Sequence, residues 1–184
     1  MFLSAEEQPL SWETRVKIAI GTAQGLAFLH SIKNSPVHLE LRMHNIMLDE
    51  QYNPKLFYLE SNKQYWEDDL TLVREFSRYQ SPEFKMTGNS ITCVGRSGKE
   101  GDIYTFGVIL LDLLAKLEVR TTDYLPASYK IGEIIDPRLG SDYPANAATK
   151  MGTLIQICTM CDMKKRPLMQ HVLDALNFIA EIKD

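Results

Sequence analysis

Cysteine is scarce: three in 184 residues. Three thiols cannot close a disulfide framework, and such sparse use suits a reducing compartment. Long apolar runs are missing. The strongest, Ile103 to Leu114, is about 12 residues against the roughly 20 that a spanning helix needs. The stretch Met1 to Leu10 has no basic start and no long apolar segment, so no secretory signal is expected there. Cationic excess is also absent: 20 Lys and Arg face 24 Asp and Glu, giving a net charge of -4. That balance, with both signs interspersed, excludes a general nucleic-acid binder. Internal repeats and low-complexity tracts are absent too. What is present is 45% hydrophobic and 24% charged residues, enough for one sizeable core in one domain.

The apolar positions Val16, Ala19, Ile20, Ala23, Leu26, Ala27 and Leu29 recur at helical spacing after Ser11, a good N-cap. The pattern predicts a helix over Trp12 to His30. Gly21 and Gly25 weaken it, but they stand four apart on one face and admit close packing by another element. Ile46-Met47-Leu48 and Lys55-Leu56-Phe57-Tyr58-Leu59 flank the turn-forming Asp49 to Pro54, which predicts a small hairpin. Ser61 to Val94 shows no sustained period and reads as a long loop. Asp102 to Leu117 is apolar nearly all round, as a buried central helix would be. Amphipathic helices are expected over Ala145 to Met163 and Leu168 to Ile182, broken at Lys165-Arg166-Pro167.

Two local patterns carry less than they suggest. Gly95-Arg96-Ser97-Gly98-Lys99-Glu100 lacks the glycine spacing and the Ser/Thr after Lys that a phosphate loop needs, and reads as a flexible loop. Cys158-Thr159-Met160-Cys161 has redox-motif spacing but falls in an expected helix with no strand before it, so a packed structural pair is expected.

Several motifs fall in one order. His38-Leu39-Glu40-Leu41-Arg42-Met43-His44-Asn45 resembles the catalytic loop of protein kinases, H-R-D-L-x-x-x-N. Tyr58-Leu59-Glu60 stands where D-F-G would, and Ser81-Pro82-Glu83 resembles A-P-E. Asp102-Ile103-Tyr104-Thr105-Phe106-Gly107 is similar to the start of the kinase central helix, and Lys165-Arg166-Pro167 to the Arg-Pro between its last two helices. Leu10 to Arg15, Gly25 to His30 and Ile135-Asp136-Pro137-Arg138-Leu139 are similar to plant receptor-like and receptor-like cytoplasmic kinases. The resemblance covers about residues 4 to 184. It implies a mainly α fold, the C-terminal lobe of a kinase: a large buried helix, surrounding helices and one small β-hairpin, with the N-terminal lobe absent. On that reading residues 1–184 are one partial kinase-like domain. Residues 1–10 are the remnant of an inter-lobe loop, and 61–94 are a loop like the activation segment.

The resemblance also assigns roles. Glu40 stands at the catalytic-base position. Its extra methylene shifts the carboxylate by more than about 1 Å, a misplacement that can cost about 100-fold. Tyr58 puts a phenol where a carboxylate would hold magnesium, an ion that wants hard oxygen ligands. Asn45 keeps the second metal position, but one amide is a poor site for the ion, so no metal is expected to bind. Arg42 replaces the usual Lys beside the phosphates. Met47 lies on the strand flooring the adenine pocket, expected to be vacant. No G-x-G-x-x-G followed by a strand lysine is found. ATP and magnesium are thus implied by the resemblance, yet no cofactor is expected. His38, Glu83, Asp102 and Arg166 match structural positions: His38 packs the loop, Glu83 pairs with Arg166, and Asp102 hydrogen-bonds the catalytic-loop backbone. Leu39 replaces the Arg that reads a phosphorylated activation loop.

Scaffold kept and chemistry lost imply an inactive kinase-like protein. It would act as an interaction or decoy module in receptor-like kinase signalling. Its partners would be other proteins, active kinases or receptor complexes, with no nucleic acid and no membrane insertion. The implied location is cytoplasmic, at the inner face of the plasma membrane by family analogy. Two alternatives stand beside it: a piece of a longer Ser/Thr kinase whose ATP-binding lobe lies elsewhere, and a non-functional remnant. Without an upper lobe, apolar surface around Val37, Met47 and Leu56 should lie exposed.

Overall fold

The computed structural model describes residues 9–33, 41–57, 78–87, 90–93, 98–115 and 131–183. Helix α1 spans Trp12–Ser31, and Ser11 caps it by accepting from the Thr14 amide at 3.2 Å. Its buried face includes Trp12, Val16, Ile18, Ala19, Ala23 and Leu26. Strands β1 (Ile46–Leu48) and β2 (Pro54–Leu56) pair antiparallel in the register Ile46↔Leu56, Met47↔Lys55, Leu48↔Pro54. Asp49 holds the connecting turn. Its carboxylate accepts from the amides of Gln51 (3.0 Å) and Asn53 (2.8 Å), while Tyr52 adopts a positive φ of 61°.

Helix α2 spans Lys99–Leu114, and its run from Phe106 to Leu114 is buried throughout. It is the central helix that its all-round apolar character predicts, begun and ended three residues earlier than the sequence pattern suggests. A short helix α3 (Ile131–Ile134) follows, then α4 (Ala145–Cys158) and α5 (Met169–Glu181). α4 stops at Cys158, short of Met163, and the chain then forms a 3-10 turn at Met163–Lys165. α1 packs on α2 and α5, and α4 packs on α2, so one core gathers around α2. Among the described residues no helix is long and apolar enough to cross a membrane.

The first hairpin seats on α1 through the two glycines. A Cβ on Gly21 would stand 2.5 Å from the Pro54 ring, and one on Gly25 would stand 2.8 Å from Leu56 Cδ1. Only hydrogen at these positions lets β2 lie this close to the helix.

Two expectations need correction. The stretch read as an unbroken loop over 61–94 contains a second antiparallel hairpin, β3 (Phe84–Thr87) with β4 (Ser90–Cys93), paired from Phe84↔Cys93 to Thr87↔Ser90. The described residues therefore form two small hairpins where one was expected. Four-residue strands are too short to print a two-residue period against a mixed-polarity background. The expected pair of packed cysteines is also wrong. Cys158 is buried at the end of α4, whereas Cys161 is exposed beyond it.

Candidate functional site

Three of the site positions assigned from sequence lie at the root of the first hairpin. A 3-10 turn, Met43–Asn45, closes where the Asn45 amide donates to the Arg42 carbonyl at 3.0 Å. The Phe57 amide donates to the Asn45 carbonyl at 2.8 Å, carrying the ladder one step beyond β2. Arg42 and Asn45 are buried there, each 8% exposed. Met47 lies on the outward face of β1 and is 55% exposed. The positions of Glu40, Tyr58 and His38 lie outside the described residues, as does Val37.

The scaffold positions are tied together tightly. Asp162 accepts from the Lys164 amide at 3.1 Å, setting the short turn that delivers Arg166 in an extended conformation. The Arg166 side chain has no exposed surface. Its guanidinium donates to both Glu83 carboxylate oxygens, at 2.6 and 2.8 Å. It also donates to the carbonyls of Met160 (2.8 Å) and Glu100 (2.9 Å) and lies 5.0 Å from the Tyr104 ring centre. This fork-on-fork geometry suits arginine alone. Burial is the strongest single influence and pushes the Glu83 carboxyl up, but hydrogen bonds from Arg166, its own backbone amide and Ser81, with the Arg166 charge, together hold the group below its ordinary value.

Asp102, buried on the first turn of α2, lies 2.9 Å from His30 Nε2 at the end of α1. A carboxylate only accepts, so Nε2 carries the proton in this bond. Residues 38–40 of the catalytic-loop segment expected to face Asp102 lie outside the described residues, and His30 is one described partner of Asp102. The segment leading into β3 is stitched to the same helix. Thr105 Oγ1 donates to the Tyr79 carbonyl at 2.8 Å, and Arg78 and the Tyr79 hydroxyl both donate to Asp112.

One buried polar cluster was not read from the sequence. Arg15 in α1 donates to the Leu10 carbonyl (2.9 Å), the Leu113 carbonyl (2.8 Å) and Asp136 Oδ2 (2.8 Å). Asp136 also accepts from the Arg138 side chain at 3.1 and 2.9 Å. Burial opposes ionisation of Asp136, yet the hydrogen bonds from Arg138 and Arg15 prevail and hold its carboxyl far below the ordinary value. The signal available was that Arg15 and Asp136 both sit inside stretches similar to receptor-like kinases. Nothing local says that the two meet.

A groove of about 410 Å3 runs beside Trp12, Val16, Ile20, Gly21 and Pro54. It lies at the turn end of the hairpin, opposite the root that holds Asn45, and so is not a cleft for the family's chemistry. Among the described residues no group of three or more His, Cys, Asp or Glu could hold a metal ion.

Comparison with known proteins accounts for this arrangement. The family of protein tyrosine and serine/threonine kinases matches residues 1–176. The chain belongs to the protein kinase family. This kinase-family chain is 59% identical to inactive serine/threonine-protein kinase BKN1 of Arabidopsis thaliana, with 97% of this chain and 56% of that protein covered. It is 50% identical to inactive serine/threonine-protein kinase BKN2 of the same plant, over 97% and 56%. It is 33% identical to receptor-like cytoplasmic kinase 176 of rice, over 98% and 49%. The chain thus spans about half the length of these relatives, and the mainly helical architecture with small hairpins is that of a kinase C-terminal lobe.

Proposed function

We propose that this chain is a catalytically silent kinase-like module that acts by binding other proteins in receptor-like kinase signalling, at the cytoplasmic side of the plasma membrane. The observation that carries the reading is the contrast within one chain. The Arg166–Glu83 tie is complete and buried, while Glu40 and Tyr58 depart from what phosphoryl transfer requires. The names of the two inactive relatives support it. The residues present do not fit Mg-ATP. Asn45 offers one amide, Tyr58 a neutral phenol, and Met47 is a floor residue open to its surroundings. No transfer step is therefore derived through the nucleotide.

The test is a thermal melt with and without Mg-ATP, beside a radiolabel transfer assay. A nucleotide present at 100 times its dissociation constant would add about 2.7 kcal/mol of stability. We expect a cooperative melt that ignores Mg-ATP, and no label on a generic substrate. Transfer that disappears in Glu40→Ala would overturn the proposal.

A second reading is favoured by one observation, the 56% coverage of BKN1 and BKN2. On it, these residues are the C-terminal half of a longer kinase-like protein whose remaining half carries the nucleotide fold. An upstream in-frame G-x-G-x-x-G in the transcript would support it, and a transcript opening at this Met1 without one would remove it.

A further inference from the structure

We draw no further inference here: the strongest candidate, the groove of about 410 Å3 between α1, the turn of the first hairpin and the end of α5, carries nothing because nothing in the structure shows what covers it.

Discussion

Arg166 shows how much rests on single side chains. Its charge has no contact with water, so its cost of burial is offset only by Glu83, two carbonyls and the Tyr104 ring. Arg166→Met removes the cation and leaves Glu83 beside an apolar wall. The expected loss is about 3–5 kcal/mol in urea unfolding, the range for breaking a buried pair from one side. Acid should act on the same bonds. The carboxyls of Glu83 and Asp136 are both held below their ordinary values of 4.5 and 3.8. A carboxyl lowered by folding stabilises fully above its ordinary value and loses that contribution as pH falls through the folded one. Stability should thus be flat from neutrality to about pH 5 and fall progressively below it. Asp136→Asn should be less stable at neutrality and show a shallower acid decline, which melts across that range would read. The thiols differ as sharply. Burial pushes the Cys158 thiol up to about 12, while Cys161 is exposed. Of these two, a thiol reagent at neutral pH should label Cys161 in the folded chain, and Cys158 only after denaturant is added, as peptide mapping would show.

At the scale of elements, the two glycines of α1 separate helix propensity from packing. Alanine gains roughly 1 kcal/mol over glycine in a helix interior. At Gly21 the new methyl would meet ring atoms of Pro54 at 2.5 and 2.7 Å, in a residue fixed in its strand. At Gly25 it would meet Leu56 Cδ1, the tip of a side chain that can rotate. Gly21→Ala should therefore destabilise by about 1–3 kcal/mol, and Gly25→Ala should lie near zero, as urea titration of the two variants would show. This face was legible in the sequence because glycines four apart signal a close neighbour. The start of α1 was legible because Ser11 is a side-chain cap, and α2 because twelve apolar-rich positions in a row fit only burial. The second hairpin was not legible. Its strands are short and their pairing is decided by a neighbour across a turn, not by a pattern within either strand. The end of α4 was missed for a similar reason: the apolar run continues through Met160 and Met163, but the chain leaves the helix so that Asp162 can set the turn for Arg166.

For the molecule as a whole, motif order revealed more than any local pattern, because it carries tertiary information that periodicity lacks. Glu83 and Arg166 could be matched across the chain on that basis. Arg15 and Asp136 could not, since a charged residue inside an amphipathic helix ordinarily faces water and nothing nearby marks it as buried. That pair has a consequence for synthesis. Arg15 finds its carboxylate 121 residues further along the chain. At about 5–20 residues per second, a ribosome completes α1 roughly 5–21 s before Asp136 is made. Through that interval the guanidinium must stay hydrated, so α1 cannot settle into its final place while the chain is growing. α1, made before the other described helices, is thus among the last of them to be locked, because its arginine waits for a carboxylate far along the chain.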